Sequence, residues 1–217
     1  VTRENRDVAD FCEKLQDLTQ GCFVPIAAGG GVRDIDHARS LLRSGADKVV
    51  INTPLYDYPA FVSQLSSEFG EQCVVASMDV KQGSDGLYQV WTDCGRRYLD
   101  CSFQKQIEEI AKSTVGEIYL NSMDKDGTGQ GYDMHLLDFL PSDMSKMLIM
   151  AGGAGNAKHL AQGLADPRID AVATAHLFNF VGDGLKQARN SLISHGYDLP
   201  VWDDQVFENL KSKSGSY

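Results

Sequence analysis

The sequence predicts an α/β fold in which parallel strands alternate with helices and curve into a barrel. Three observations indicate this class. Short runs rich in Val, Ile and Ala recur along the chain, and helical patterns separate them. Each run is almost continuously apolar, as in parallel strands that are covered on both faces. Glycine-rich or polar residues follow every run, which is typical of a barrel that builds its ligand site from many strand ends.

The six apolar runs predict six strands, over residues 23–28, 48–52, 73–79, 117–123, 147–151 and 171–175. Helices are predicted between them. Asp34 can cap a helix that ends at Gly45, and a second helix ends at Gly70. Another helical pattern precedes the first strand, at Val8, Phe11, Leu15 and Leu18.

The stretch 86–97 departs from this alternation of strands and helices. Leu87, Gln89 and Trp91 alternate as in a strand, and an Asp-Cys-Gly turn follows them. A small hairpin inserted after the third strand is therefore predicted.

Composition restricts the function classes. The 217 residues are enough for one sizeable core, and we expect a single domain over residues 1–217. The 30 acidic and 20 basic residues give a net charge of -10 without a Lys/Arg cluster, which argues against nucleic-acid and anionic-membrane partners. No apolar run approaches the roughly 20 residues of a membrane-spanning helix, and no signal-peptide pattern opens the sequence, so a cytoplasmic protein is expected.

The sequence gives no indication of a metal or a cofactor. The five cysteines have no CxxC or zinc-like spacing, and the five histidines are scattered along the chain. The glycine motifs match neither the dinucleotide fingerprint nor a P-loop, so NAD and ATP are not implied.

Two glycine motifs predict phosphate sites. "AAGGGV" contains Gly30 and Gly31, and "MAGGAG" contains Gly152 and Gly153. Consecutive glycines let the backbone approach a ligand closely and direct N–H groups at an anion. Either motif alone could simply turn the chain from a strand into a helix. Their occurrence together, with polar strand ends between them, predicts a substrate with two phosphates.

Polar residues at two other strand ends are candidates for ligand contact and catalysis. Asn52 and Thr53 follow the second strand and can donate to a phosphate oxygen, although such a pair before a proline is ordinarily a helix-start turn. Asp79 ends the third strand. A carboxylate delivered to a barrel mouth by an apolar strand is partly desolvated, which raises its pKa towards the range useful for proton transfer. Asp79 is therefore the predicted general acid/base, with a turn cap as the alternative.

The stretch "MDKDGTGQGYD", which follows the fourth strand, predicts a mobile lid. Asp124 and Asp126 lie on either side of Lys125, and the glycines beginning with Gly127 let the loop fold over a ligand together with Thr128.

Taken together, "PIAAGGGV", "GADKVVINT", "SMDVK", "GEIYLNSMDKDGTGQGYD" and "AGGAGN" closely resemble the cyclase subunit of imidazole glycerol phosphate synthase. The resemblance is ordered and covers nearly the whole chain. It implies a TIM (β/α)8 barrel, a lyase that docks a glutaminase subunit as a heterodimer and receives ammonia through the barrel. With that ammonia it cleaves and cyclises a bisphosphorylated formimino ribulosyl aminoimidazole carboxamide nucleotide to imidazole glycerol phosphate, a step of histidine biosynthesis.

The resemblance assigns roles to individual residues. Asp79 matches one of two acid/base aspartates. One phosphate site is matched by Gly31, Asn52 and Thr53, and the other by Asp126, Gly127, Gly153 and Ala175, next to His176. At the opposite, amino-end face, Lys48 and Glu117 match a charged gate for ammonia, and Asp47 matches an acid facing the glutaminase. Without the resemblance, Lys48 and Glu117 would be interpreted as solvated strand starts.

The sequence departs from the family pattern at its start. The family begins with a strand that carries the other catalytic aspartate, followed by a helix and a second strand, whereas this sequence starts just after them at Val1. We therefore expect the first two strands of the barrel to be missing from this sequence and the domain to be incomplete at its N-terminus. If the protein itself lacks the first aspartate, a catalytically inactive scaffold that binds a glutaminase is an alternative.

A second departure lies near the second phosphate site. Ala151 and His176 stand where the histidine-pathway members usually carry serines, and several segments look more like a sister group. Members of that group pair with a similar glutaminase to deliver ammonia for sugar amidination in lipopolysaccharide, O-antigen or other surface-polysaccharide synthesis. A further alternative is the related sugar-phosphate isomerase of the same pathway. Its barrel also binds a substrate with two phosphates, and it needs no gate for ammonia.

Overall fold

A computed structural model describes residues 7–175, 177 and 184–201 of the protein. The strands are β1 (Ala27–Gly29), β2 (Lys48–Ile51), β3 (Val74–Gln82), β4 (Tyr88–Thr92), β5 (Arg97–Ser102), β6 (Glu117–Ser122), β7 (Met147–Ala151) and β8 (Ala171–Val172). At the centre is one curved sheet in which six parallel strands follow the order β1-β2-β3-β6-β7-β8.

Helices connect the parallel strands. Those in the described part of the chain are α1 (Val8–Thr19), α2 (Ile35–Arg43), α3 (Thr53–Asp57), α4 (Pro59–Phe69), α5 (Phe103–Ala111), α6 (Ala157–Leu164) and α7 (Gly184–Ser194), with 3-10 turns at Glu71–Cys73 and Met134–Phe139. None of the helices in these ranges is long and apolar enough to cross a membrane.

The predicted helix caps are confirmed. The Asp34 carboxylate accepts a hydrogen bond from the His37 backbone N–H at 2.8 Å, which satisfies one of the free donors at the start of α2. Gly45 and Gly70 follow α2 and α4 with φ of 103° and 89°, a left-handed conformation that glycine adopts without steric cost.

The six parallel strands form an α/β sheet of the TIM-barrel type. The sheet is curved as part of a barrel. Within the described residues, β1 and β8 each pair with one neighbour, so the sheet has two edges. The carboxyl ends of the strands share one rim. The glycine motifs and acidic turns that follow the strands therefore lie on the same side of the molecule.

The side chains of β6 point alternately to opposite faces of the sheet. Ile118 and Leu120 are fully buried on the convex face, in contact with the apolar core. Glu117, Tyr119 and Asn121 point to the concave face, because side chains alternate with a period of two along a strand. The convex face thus stabilises the fold, and the concave face is available for chemistry.

A hairpin stands above the end of β2, as predicted from residues 86–97. The last residues of β3 pair in antiparallel with β4, which pairs with β5, so the insertion extends to Ser102. At its turn, Asp93 and Cys94 have φ of 50° and 58°. The Asp93 backbone N–H donates to the Thr53 Oγ1 at 3.1 Å, which fixes the turn to the end of β2.

Arg97 attaches the other side of the hairpin to α3. Its guanidinium Nη2 donates to both carboxylate oxygens of Asp57, at 2.7 and 2.9 Å. The insertion is therefore tied to the rim on which the candidate site lies.

The predicted first strand was wrong in its first half. Phe23 and Val24 lie outside β1 and are 88% and 68% exposed. Pairing with β2 begins at Ala27, opposite Lys48, and the Ile26 carbonyl accepts hydrogen bonds from the Asp47 and Lys48 backbone N–H groups at the start of this ladder. The last strand is also shorter than predicted, since β8 ends at Val172.

Substitution of Leu120 by alanine tests the role of the convex face. Leu120 is 0% exposed, so Leu120→Ala should lower the free energy of unfolding by about 2–5 kcal/mol through lost burial and a residual cavity. Leu87→Ala is the matched control, because Leu87 is 66% exposed on the hairpin and its truncation should change stability by less than about 0.5 kcal/mol. Equal effects in urea titrations of the two variants would contradict this assignment of faces.

Candidate active site

Asp79 lies at the carboxyl end of β3, where amide groups from both neighbouring strand ends hold its carboxylate. Asn121, its partner in the register of β6, donates from Nδ2 to Oδ1 at 2.9 Å. Asn52, which follows β2, donates from Nδ2 to Oδ2 at 3.1 Å. Each carboxylate oxygen thus accepts one amide N–H, and the side chain is fixed in the plane between the two strand ends.

The environment of Asp79 perturbs its titration. Burial raises the pKa of the carboxyl above its ordinary value, and the negative charge of Asp126 raises it further, while the hydrogen bond from Asn121 lowers it. Burial is the largest of these effects, because the charged form loses its hydration. A carboxyl with a raised pKa exchanges protons nearer to neutral pH, as a general acid/base requires.

A small cavity next to Asp79 contains most of the predicted second phosphate site. It has a volume of about 100 Å³, and its lining includes Asp126, Gly127, Gly152, Gly153 and Ala175 from the sequence prediction. Tyr119, Asn121, Ala154, Ala173 and Thr174 complete the lining. The structure therefore brings β6, β7 and the segment after β8 together around one space. His176 lies outside the described residues.

The glycines of this cavity are required by close packing. Gly152 and Gly153 have φ of 87° and 106°. A Cβ on Gly153 would lie 2.1 Å from the Gly131 carbonyl oxygen, and one on Gly152 would lie 2.4 Å from the Ser122 carbonyl oxygen. The backbone at this turn therefore approaches the turn after β6 more closely than any side chain would allow.

Residues 124–133, which were predicted to form a lid, are anchored at both ends. At the start, the Asp124 carboxylate accepts from the Gln82 backbone N–H at 2.7 Å. At the end, the Gly131 backbone N–H donates to the Gly153 carbonyl at 2.7 Å. Thr128 lies between them and donates from Oγ1 to the Lys125 carbonyl at 2.7 Å, in a part of the loop that is exposed. The mobility of this loop stays a prediction.

At the first predicted phosphate site, the glycines have positive φ angles, but the Asn52 side chain does not point towards them. Gly30 and Gly31 have φ of 106° and 90°. Asn52 directs its amide N–H groups at Asp79 and at the Ser77 carbonyl, the latter at 3.0 Å, rather than towards the glycines. Thr53 Oγ1 accepts the Asp93 N–H, and its own proton makes no hydrogen bond with the described residues. Asn52 therefore positions Asp79, and any phosphate contact that it makes would come from its backbone.

At the amino-end face, Lys48 and Glu117 form an ion pair across β3. The Lys48 Nζ donates to Glu117 Oε1, and the Glu117 side chain is only 11% exposed. Both residues point to the concave face, as expected for a pair at the base of a barrel. Asp47 is exposed, and its carboxylate accepts a hydrogen bond from the Ile26 backbone N–H at 2.8 Å.

The sequence reasoning missed three residues near Asp79. Asn121 and Tyr119 lie on the concave face of β6. Alternation along the strand from Glu117 could have indicated this face, although not the contact with Asp79. Tyr56, on α3, has a buried hydroxyl without a hydrogen-bond partner among the described residues. Its pKa is raised by burial and by the charge of Asp79. An apolar strand pattern alone gives no signal for Tyr56.

Removal of the Asn121 donor should raise the pKa of Asp79 further. In Asn121→Leu, burial raises the pKa of Asp79 without the opposing hydrogen bond. The titration midpoint of the Asp79 carboxyl, followed by ¹³C NMR, should therefore move to higher pH. Because the folded-state pKa already exceeds that of the unfolded chain, ionisation of Asp79 opposes folding. The free energy of unfolding should therefore fall as pH rises through the folded-state pKa, and this fall should extend to higher pH in the variant.

Asn190→Leu, an exposed change on α7, is the control for this titration. An Asp79 titration that is the same in the unmodified protein and in Asn121→Leu would show that the hydrogen bond does not act on the carboxyl.

Comparison with known proteins is consistent with this arrangement. The family model described as "Histidine biosynthesis protein" matches residues 4–182. A protein of Parasynechococcus marenigrum (strain WH8102), provisionally named imidazole glycerol phosphate synthase subunit hisF2, is 42% identical over 195 residues, which cover 90% of this chain and 72% of that relative. The parallel α/β sheet is consistent with the TIM-barrel fold of the matched family. The chain belongs to the histidine biosynthesis protein family.

Proposed function

We propose that the protein is a cyclase-type subunit of imidazole glycerol phosphate synthase. In this role it uses ammonia from a glutaminase subunit to cleave and cyclise a bisphosphorylated formimino ribulosyl aminoimidazole carboxamide nucleotide. The observation that carries the proposal is the position of Asp79. Its carboxylate lies between two glycine turns on one rim, with one amide donor on each oxygen. The relative's name and the matched family support an imidazole glycerol phosphate synthase subunit of the cyclase type.

The two glycine turns are assigned to the two phosphates of the substrate. Gly30, Gly31 and the Thr53 hydroxyl would bind one of them. The other would occupy the cavity beside Gly152 and Gly153. Because the N–H groups of such turns are fixed in place, they bind an anion without reorganisation. The substrate would thus lie across the rim with its reacting centre above Asp79.

Asp79 is assigned the proton transfers. Its raised pKa comes from burial, and this allows the carboxyl to be protonated and deprotonated near the working pH. Asn52 and Asn121 act through Asp79, because they fix the carboxylate in one orientation. A preorganised acid/base of this kind contributes about 10²–10⁴-fold to a rate.

Lys48 and Glu117 are assigned to the passage of ammonia. They lie at the opposite end of the strands from Asp79, on the same concave face. A glutaminase docked against this amino-end face would release ammonia next to the pair. An ion pair that opens and closes would then control entry to the concave side of the sheet.

Replacement of Asp79 by asparagine tests the catalytic assignment. Asp79→Asn keeps the size of the side chain and removes its acid/base function, so turnover with ammonium salts should fall by about 10²-fold or more. Binding of inorganic phosphate should be retained, because the glycine turns are unchanged. Gly153→Ala is the complementary variant, since its Cβ would collide with the Gly131 carbonyl and should weaken phosphate binding. Full turnover in Asp79→Asn would refute the assignment.

Replacement of Lys48 by alanine tests the ammonia route. The change leaves the carboxylate of Glu117 without its cation, so the ratio of glutamine-dependent to ammonia-dependent turnover should change in the complex with a glutaminase. Lys105→Ala, which breaks an exposed pair with Glu109, is the matched control and should leave the ratio unchanged. Identical ratios in the three proteins would contradict the assignment of the pair to the ammonia route. The sugar-phosphate isomerase instead predicts turnover that needs no ammonia and that Lys48→Ala leaves unchanged.

Ala151 favours a second candidate function. It is 1% exposed and lies opposite Asn121 in the register of β7, at the rim of the second phosphate site. The resemblance implies a serine hydroxyl there for the histidine pathway. A member of the sister group would deliver ammonia for sugar amidination, and it would bind a glutaminase without converting the histidine precursor. Tight glutaminase binding without turnover of either substrate would instead indicate a scaffold.

A further inference from the structure

Tyr119 lies on the concave face at the middle of β6. Its neighbours in register are Ser77 on β3 and Ile149 on β7. On its own strand, Glu117 lies towards the amino end and Asn121 towards the carboxyl end, and both point to the same face. Tyr119 thus occupies the level between the ion pair at the base and the amide that holds Asp79.

Tyr119 is part of the wall of the cavity that contains Gly152 and Gly153. Among the described residues, no group makes a hydrogen bond with its hydroxyl. Two other tyrosines near this cavity have paired hydroxyls: Tyr132 donates to the Ala173 carbonyl at 3.0 Å, and Tyr88 donates to Asp133 at 2.8 Å. The Tyr56 hydroxyl is unpaired among the described residues, but it is buried and Tyr56 is not part of the cavity lining. The Tyr119 hydroxyl is not among the buried unpaired polar atoms, so it is accessible, and in the wall of a cavity it is available to a ligand.

The charges around Tyr119 determine which partner its hydroxyl can take. Burial raises its pKa, and the carboxylates of Asp126 and Asp79 raise it further, so the phenol keeps its proton. A protonated hydroxyl donates a hydrogen bond to an acceptor. An anion in this cavity also needs donors, because Asp126 is part of the same lining and repels it.

We propose that the Tyr119 hydroxyl is a substrate contact that donates a hydrogen bond to a phosphate oxygen in the cavity beside Gly152 and Gly153. The inference rests on the proposed function, since it takes the cavity to be a phosphate site. The glycine pattern predicts only backbone N–H donors at this site, and the Tyr119 hydroxyl would add a side-chain donor to them. Tyr119 also lies nearer to the middle of the sheet than the glycines do, so it contacts the phosphate from the side that faces the concave surface.

Titration of the protein with inorganic phosphate, followed by ¹H–¹⁵N NMR, tests the contact at each site separately. The amide signals of Gly152 and Gly153 report the cavity, and those of Gly30 and Gly31 report the other site. In Tyr119→Phe, which removes one oxygen atom, the apparent Kd at the cavity should rise by about 10-fold or more, as for a hydrogen bond to a charged group. The Kd at Gly30 and Gly31 should stay unchanged.

Tyr197→Phe is the matched control, because its hydroxyl donates to the Ala161 carbonyl away from the rim. It should leave both titrations unchanged. The thermal unfolding midpoint of Tyr119→Phe should equal that of the unmodified protein, since the hydroxyl makes no hydrogen bond with any residue that the structure describes. A lower midpoint would indicate a structural role and overturn the inference.

Three other outcomes of the titration would overturn the inference. If Tyr119→Phe binds phosphate at the cavity as tightly as the unmodified protein, the hydroxyl is not a contact, while the proposed phosphate site stands. If both sites weaken equally in Tyr119→Phe, the effect is not local. If the Gly152 and Gly153 signals of the unmodified protein do not respond to phosphate, the inference fails together with the assignment of the cavity.

Discussion

The parallel hydrogen bonding between β3 and β6 is the constraint on which the site depends. It sets Asp79 directly opposite Asn121, and it sets Ser77 opposite Tyr119 one pleat below. A shift of this register by one residue would move Asn121 and Tyr119 to the convex face and bring Ile118 and Leu120 to the concave one. Because Ile118 and Leu120 are fully buried in the core, such a shift would expose apolar surface. The packing of the core therefore maintains the geometry of the carboxylate.

The surroundings of Asp79 combine two opposing effects on its charge. Burial disfavours the carboxylate, whereas the amide of Asn121 favours it. A site with burial alone would hold a neutral acid, and a site with the amides alone would hold a permanent anion. The combination is suited to a group that alternates between the two forms. The same amides also limit the rotation of the side chain, so chemistry and orientation depend on the same contacts.

Much of this architecture could be predicted from the sequence, and the exceptions have a common cause. Asp79, the glycine turns and the caps at Asp34 and Gly70 are local features, because each is defined by its position at the end of an apolar run or at a helix terminus. The contact between Asn121 and Asp79 joins residues 42 positions apart, and a pattern along one strand cannot show which residue of another strand lies beside it. Asn52 shows the same limit. Its place at a strand end was predicted, but the direction of its amide depends on β3.

The alternation along β6 also has an evolutionary consequence. Residues that maintain the core and residues that contact a ligand occupy separate positions on one strand, so each set can vary with little effect on the other. Exchange of Tyr119 or Asn121 for other polar or aromatic side chains would alter recognition while Ile118 and Leu120 preserve the scaffold. A duplicated gene with this fold could therefore acquire a new substrate through a few changes on the concave surface.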